Sequence, residues 1–578
     1  MMKVVLASLN TKYVHTNVAI RSLKTNCHID GISVQLREFT INDREEHILG
    51  RLVEEKAQVY AFSIYIWNLE PTRRIMGNLK KIRPDAWIVV GGPEVSYLTE
   101  SEAWELGADL VISGEGEKIF PRVMEAISKG ESLEEFAGVS YNKGNKSIRV
   151  LTSMEPVVLD ELSFPYTKQE LNQLKDNILY YESSRGCPYS CAYCMSSVEK
   201  GLRNKSMTKV KEELTTFLEA GVKLVKLVDR TFNCNKERAK EILTFLLDQE
   251  GETCFHFEVA ADLLDEELLE LLGRTPVGRF QLEAGVQSVH PETLKRIARV
   301  SNIPQVKENM NRILQKENVH VHMDLIAGLP GEGLEQIARS FNEIMDVGPH
   351  MLQLGFLKIL KGSPMENMVE SFGYKFQGHP PYQVLKNNSI SYEELWLLHL
   401  VEHVLEKYYN SGNFPTTLEM VRNSEEQTPF DFYCGLAAHW DKKGFFDRKI
   451  SKDALYQILF DYLCQNGFHR PMVEQTLKMD YLLQASWPLP PFLHPTPLPK
   501  EKAFALLHSQ GFVEEYLKDY MGKPPKDIVK QVYFEIFDGG RGNKRLGLFS
   551  PKKTGLFHRN MVRWVEDWSS RLDLMLNN

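Results

Sequence analysis

Residues 184–194 read Ser184-Arg185-Gly186-Cys187-Pro188-Tyr189-Ser190-Cys191-Ala192-Tyr193-Cys194, with three cysteines spaced C-x3-C-x2-C just past a β-like run, Ile178 to Ser183. Thiolates are soft ligands that favour zinc, copper(I) or iron–sulfur clusters. A structural zinc site closes with four ligands, usually two pairs on separate knuckles. The chain has no second C-x2-C pair. Three thiolates without a fourth point to a four-iron cluster with one iron left open to another ligand. Gly186 permits a tight turn on the way in, and Pro188 stiffens the exit.

Around that stretch lie 578 residues, enough for three domains of ordinary size. Hydrophobic content of 43% and charged content of 25% are those of a soluble globular protein. A net charge of -8 argues against a broad nucleic-acid-binding surface. No run of about 18 apolar residues is present to span a membrane. The apolar run within Met1–Asn10 is too short for a signal peptide and reads as a first strand. Cys27, Cys234, Cys254, Cys434 and Cys464 are scattered, as packing residues are in the reducing cytosol. A cytoplasmic protein is expected.

From Lys3 to about Ser128, strands are expected at Lys3–Leu9, Ser33–Phe39, Val59–Tyr65, Ala86–Gly91 and Asp109–Ser113, with helices between them, including Leu69–Ile82 and Glu117–Ser128. This alternation predicts a parallel sheet covered on both faces, with any ligand beyond the carboxyl ends of the strands. Those ends carry Ser63-Ile64-Tyr65-Ile66-Trp67-Asn68, Gly91-Gly92-Pro93-Glu94 and Gly114-Glu115-Gly116-Glu117. Glycine pairs let a ligand approach the backbone, but they also serve simply to connect strands to helices. A hairpin is expected from Gly138–Asn142 and Ser147–Leu151 around Lys143-Gly144-Asn145. A Pro-marked stretch through Pro156 and Pro165 leads to the next domain.

A second alternation runs from Ile178 to about Ile359. Its strands are expected at Ile178–Ser183, Val222–Asp229, Cys254–Ala260, Arg279–Gly285, His320–Gly328 and Met351–Leu360. Helices fall between them at Thr208–Ala220, Lys236–Gln249, Glu292–Ala298 and Leu334–Val347. Six such units predict a partial parallel barrel whose chemistry collects at the strand carboxyl ends. Those ends hold Asp229, Glu258, Asp262, Glu283, Gln287, Asp324 and the turn Gly328-Leu329-Pro330-Gly331. Carboxylates at apolar strand ends need partners, whether a ligand or a scaffold salt bridge. From about Tyr382 the character changes: amphipathic helices are expected around Leu395–Leu405 and Ala454–Cys464. A rigid Pro-rich connector follows from Pro488 to Pro499, then a small β element at Val532–Phe537 turning at Gly539-Gly540, and a locally basic Arg541–Arg545.

The cysteine loop, with aromatic Tyr193 directly before the third cysteine, resembles the signature of the radical S-adenosylmethionine (SAM) superfamily. Preceded by the glycine-rich strand ends, the chain resembles the members of that superfamily with a cobalamin-binding domain. The implied fold is α/β: a Rossmann-like (flavodoxin-like) cobalamin-binding domain over 1–135, a hairpin and linker over 136–177, a partial (β/α)6 TIM-type radical SAM barrel over 178–380, and a mainly α C-terminal domain over 381–578. The resemblance implies a 4Fe–4S cluster on Cys187, Cys191 and Cys194, whose open iron chelates SAM. Asp229 would approach the SAM amino group, with Glu283, Gln287 and Gly328 toward its ribose and adenine side. Ser63, Gly91 and Gly92 would lie along the nucleotide tail of cobalamin. The chain departs from one motif, Asp-x-His-x-x-Gly, whose histidine ligates cobalt: Tyr13-Val14-His15-Thr16-Asn17-Val18 keeps the histidine but neither the Asp nor the Gly.

As implied activity, the resemblance gives a methyltransferase acting on an unactivated carbon of a small-molecule or peptide substrate through a 5′-deoxyadenosyl radical. An electron donor such as flavodoxin or ferredoxin would serve it. Two rivals stand beside that reading: a cyclase or rearrangement enzyme with no net methyl transfer, and a non-catalytic corrinoid or redox sensor. A tRNA methylthiotransferase fits less well, because Cys27 alone in the N-terminal domain cannot hold a second cluster.

Overall fold

The computed structural model describes residues 1–570 except 99, 135, 144–145, 150–155, 199–200, 425–426, 485–486, 539–543, 555, 557–558 and 567. The chain divides into two compact units, one of 1–313, 324–337 and 355–392, the other of 314–323, 338–354 and 393–578.

The first sheet is built from β1 (Met2–Asn10), β2 (Ile32–Thr40), β3 (Val59–Ser63), β4 (Trp87–Gly91), β5 (Leu110–Ile112), β6 (Val139–Lys143) and β7 (Lys146–Arg149), in the order β2-β1-β3-β4-β5-β6-β7. The first five strands pair in parallel. Their apolar runs serve two cores, because successive side chains in a strand point to opposite faces. Val4 and Leu6 pack with Ile20, Phe120 and Val123 from the helices at 18–25 and 119–129. Val5, Ala7 and Leu9 pack with Ile48, Leu52, Ile75 and Leu79 from the helices at 45–54 and 69–82. The hairpin expected in the linker extends this sheet instead, with β6 antiparallel to β5. Gly144, Asn145, Val150 and Leu151 of that expectation lie outside the described residues.

The second sheet takes β8 (Ile178–Tyr181), β11 (Leu224–Leu227), β12 (Cys254–Val259), β13 (Phe280–Gln287), β14 (His320–Ala327) and β15 (Met351–Phe356), in the order β15-β14-β13-β12-β11-β8. Between the first two runs a short antiparallel hairpin intervenes, β9 (Ser184–Cys187) with β10 (Gly201–Asn204). Strand β15 stops four residues before its expected end, because the chain turns to pair Lys358 with Gln383. Six strands in sequential spatial order give the expected partial barrel. A buried ion pair sits under its first strand: Lys205 Nζ lies 2.6 Å from Glu213, which also accepts the Tyr181 hydroxyl at 2.8 Å.

The C-terminal unit is mainly helical, with helices at 392–405, 415–423, 429–442, 452–465, 470–484 and 500–508. Trp440 is fully buried, as expected of a core aromatic. The β element expected at 532–537 opens a three-stranded antiparallel sheet of β18 (Tyr533–Asp538), β19 (Lys544–Thr554) and β20 (Arg559–Val565), which follows a small two-stranded one of β16 (Lys375–Phe376) and β17 (Val384–Lys386) in the first unit. The expected turn at Gly539-Gly540 and the basic residues 541–543 lie outside the described residues. Among the described residues, no helix is long and apolar enough to cross a membrane.

Removing one partner of a buried ion pair costs about 3–5 kcal/mol, whereas replacing both with apolar groups is often neutral. Lys205→Met should therefore lower the urea midpoint of the cofactor-free protein sharply, and Lys205→Met/Glu213→Leu should recover most of the loss. Equal midpoints for wild type and Lys205→Met would show that the pair contributes nothing.

Candidate functional site

The cysteine loop is held from its backbone outward. Strand β9 pairs antiparallel with β10, placing Gly186 opposite Leu202 and Cys187 opposite Gly201. Gly186 has φ +94°, and a Cβ there would collide with the Gly201 carbonyl, so only glycine fits. Further along, the Ala192 amide donates to Ile297 O at 2.9 Å, and the Met365 amide donates to Ala192 O at 3.1 Å. Asp229 grips the start of the loop: it accepts the Ser183 amide at 3.0 Å and the Ser183 hydroxyl at 2.6 Å, together with the Ser184 hydroxyl. Burial pushes the Asp229 carboxyl up, and these bonds from Ser183 and Ser184 pull it back.

Cys187, Cys191 and Cys194 line one cavity of about 230 Å³ at the carboxyl ends of the second sheet. Among the described residues, no three His, Cys, Asp or Glu side chains close around a single metal ion. The three thiols share this one space. Three thiols on one space, with no second C-x2-C pair in the chain, suit a four-iron cluster with one iron left open. Glu258, Glu283, Gln287 and Asp324 line the same cavity. Glu283 takes a 2.9 Å hydrogen bond from Lys226 Nζ and lies 2.9 Å from His256 Nε2. Burial works to raise the Glu283 carboxyl, but His256 and Lys226 outweigh it and hold the group down at about 2. Glu258 and Asp324 are pushed the other way, chiefly by burial and then by neighbouring carboxylates. Asp324 Oδ1 is shut off from water with no hydrogen-bond partner. An orphaned acceptor and a fixed carboxylate beside three thiols suit a ligand carrying an ammonium, hydroxyls and a sulfonium, as SAM does.

Arg299 borders the thiols. Its Nη1 donates to the Tyr193 hydroxyl at 3.1 Å and lies 3.9 Å from Cys191 Sγ, and its Nη2 donates to Gly285 O. Burial raises the Cys191 thiol, and Arg299 opposes that rise.

A second cavity, of about 390 Å³, opens at the carboxyl ends of β3, β4 and β5 and is lined by Ser63, Gly91, Gly92, Tyr65 and residues 114–117, and across from them by Arg185, Gly186 and Arg230. Gly92 has φ +113°, and a Cβ there would lie 2.6 Å from Ile64 O, so the turn brings bare backbone to the cavity edge. A space of that volume and largely apolar wall suits a nucleotide-sized group. His15 does not line it. Its Nδ1 lies 2.7 Å from the Tyr180 hydroxyl, and its ring stacks on Tyr180.

Of the residues singled out from sequence, the structure thus brings Cys187, Cys191, Cys194, Glu283 and Gln287 to one cavity and Ser63, Gly91 and Gly92 to the other. Asp229 and Gly328 line neither. Asp229 holds the loop from beneath, and the Gly328 carbonyl accepts the Tyr374 hydroxyl at 3.0 Å. Sequence reading passed over Arg299, Lys226 and His256. The last two carried a signal, since a charged or imidazole side chain alternating with apolar ones in a short strand faces a polar interior.

Three family models match the chain: "B12 binding domain" over 2–124, "Radical SAM superfamily" over 181–344, and "Protein of unknown function (DUF4080)" over 370–544. These domains bring a cofactor set of cobalamin, a 4Fe–4S cluster and SAM. An uncharacterised methyltransferase of Pyrococcus horikoshii is 30% identical over 269 residues, 45% of this chain and 57% of the relative. The 2-(S-pantetheinyl)-carbapenam-3-carboxylate methyltransferase of Streptantibioticus cattleyicolor is 25% identical over 354 residues, 56% of this chain and 50% of the relative. The chain thus spans about half the length of the curated relatives it matches. In fold it is similar to the cobalamin-dependent SAM radical enzyme OxsB, solved with aqua-cobalamin and SAM bound, at TM-score 0.59 and 15% identity over 83% of this chain and 79% of that one.

The two acidic residues should separate in experiment. Asp229→Ala frees the start of the loop, so it should lower both thermal stability and the iron retained after reconstitution. Glu283→Ala should keep iron and weaken SAM binding. Because the folded Glu283 pKa of about 2 lies below its unfolded value, its contribution to stability is present above ~4.3 and lost as pH falls toward 2. Acid unfolding of Glu283→Ala should accordingly be less steep in that window, and identical profiles would remove Glu283 from this account.

Proposed function

We propose that this chain, a radical SAM protein with an N-terminal B12 binding domain, is a methyltransferase that acts on an unactivated carbon of a small organic molecule or peptide. The observation that carries the reading is the pairing of two cavities at strand carboxyl ends, one ringed by three thiols and the other floored by glycine backbone, within one compact unit. When bound, the cluster, SAM and cobalamin supply hydrogen-atom abstraction and a transferable methyl group.

The chain's own residues bind and orient. Cys187, Cys191 and Cys194 would hold the cluster, with Arg299 stabilising Cys191 as thiolate. Glu283, fixed by Lys226 and His256, would take the hydroxyls or cationic end of SAM, with Gln287, Glu258 and Asp324 beside it. Ser63, Gly91 and Gly92 would line the nucleotide tail of cobalamin. Asp229 is a positioning residue, since it acts on the loop through Ser183 and Ser184. A relative named for methylating a carbapenam carboxylate supports a small-molecule acceptor. A flavodoxin or ferredoxin would deliver the electron.

Protein reconstituted anaerobically with iron, sulfide and cobalamin, then given SAM and a reductant, should release both 5′-deoxyadenosine and S-adenosylhomocysteine. The variant with Cys187, Cys191 and Cys194 all changed to Ala should release no 5′-deoxyadenosine. Formation of 5′-deoxyadenosine alone by the wild type would favour a cyclase or rearrangement enzyme, and formation of neither would favour a sensor.

The engagement of His15 with Tyr180 makes a separate prediction for cobalt. Axial nitrogen would split the paramagnetic resonance lines of bound cob(II)alamin into triplets. Unsplit lines are expected, and triplets that vanish in His15→Ala would overturn this reading.

A further inference from the structure

One side chain belongs to both cavities. Arg230, the residue after Asp229 at the carboxyl end of β11, lines the space ringed by the cysteines and also the space beside Gly91 and Gly92. It is exposed, and among the described residues its guanidinium makes no hydrogen bond and no ion pair. The other cations around these cavities are engaged. Arg185 is held by Glu115, Glu117 and Glu182, Arg203 by Glu115, Lys226 by Glu283, Lys205 by Glu213, and Arg299 by Tyr193 and Gly285. Charge still reaches Arg230 from a distance on both sides: it draws down Glu258, which burial raises, and Tyr65, which burial also raises.

A guanidinium with its donors uncommitted is a fork shaped for carboxylate or phosphate oxygens. The cysteine cavity holds one other cation, Arg299, which is committed to Tyr193 and Gly285, and one carboxylate held ionised, Glu283, so Arg230 is the guanidinium there with donors left for an anion. If the proposed methyl transfer is correct, the acceptor carbon must reach groups held in both cavities, so the acceptor has to lie where they meet. We propose that Arg230 anchors the acceptor by an anionic group, a carboxylate, phosphate or phosphonate. This rests on the methyltransferase reading for the acceptor's place, but not for the oxyanion site itself. Two other sources could supply the same chemistry, the carboxylate of SAM and the phosphate of the cobalamin nucleotide.

Phenylglyoxal labelling of the intact chain, mapped by mass spectrometry, separates these sources without turnover. Arg230 should label faster than the engaged Arg185 and Arg299. It should keep labelling when SAM and cobalamin are both bound, and then slow several-fold on addition of acetate or inorganic phosphate but not of neutral acetamide. Protection by SAM alone or by cobalamin alone would assign the guanidinium to that cofactor and overturn the proposal, as would labelling indifferent to the anions. The labelling result does not depend on whether S-adenosylhomocysteine forms, so failure of the methyltransferase reading and failure of the anion site are told apart.

Discussion

Arg185 sits two residues before the first cysteine, and three carboxylates converge on it. Glu182 comes from the end of β8, whereas Glu115 and Glu117 come from the turn after β5, in the other sheet. These carboxylates outweigh the burial that would lower its pKa, so the guanidinium stays charged. A buried charge is tolerated only with partners in good geometry. The partners here fix two things at once: the approach to the cysteine loop and the edge of the first sheet against it. Arg203, opposite Arg185 in the β9–β10 hairpin, doubles the tie through Glu115 and the Val157 carbonyl. The hairpin in turn depends on Gly186, where no side chain can pass the Gly201 carbonyl. Charge pairing and backbone sterics together set where the three thiols stand.

Most of the frame was legible because it follows from alternation. Apolar runs such as Val4–Leu9 and Tyr60–Ile64 can be satisfied only by cover on both faces, and the helix over 69–82 appears with the bounds its pattern implies. The thiols were legible from their spacing. Asp229 shows where such reading stops. A carboxylate at a strand end faces either a ligand or its own scaffold, and sequence does not say which; here Ser183 and Ser184, next to the loop, take it. Arg299 was invisible for a related reason. It lies 108 residues past Cys191 and joins it only through folding, with no local pattern to mark it.

Inside the second sheet, polar side chains occupy a register that places them side by side. Lys226 pairs with His256, His256 with Gln281, and Glu258 with Glu283 across adjacent strands. Three carboxyls meet at one end of this layer, and they are not alike. Glu283, given two donors, stays ionised, while burial and mutual repulsion push Glu258 and Asp324 up. Environments that drive neighbouring acids apart are what let one site both hold a cation and offer a hydrogen-bond donor. The same layer explains why the cavity is not simply apolar despite its barrel setting.

The first sheet is tied to the barrel at both ends of the strand series. Beside β8, His15 meets Tyr180, the Thr16 hydroxyl donates to Ile178 O at 3.1 Å, and Arg185 meets Glu115 and Glu117. Beyond β15, the Tyr382 hydroxyl donates to Glu94 at 2.7 Å, and Lys361 pairs with Glu102. A single tether would leave a hinge, whereas ties at two separated points resist both sliding and opening. Glu94 follows Gly92-Pro93, so the second tie acts directly on the turn that edges the 390 Å³ cavity. Reactions that pass a group between two separately held partners are sensitive to small displacements, because the gain from positioning is lost within about an ångström. The clamps therefore do more than join domains: they set the separation between the glycine-edged cavity and the thiol-ringed one, on which the proposed transfer would depend.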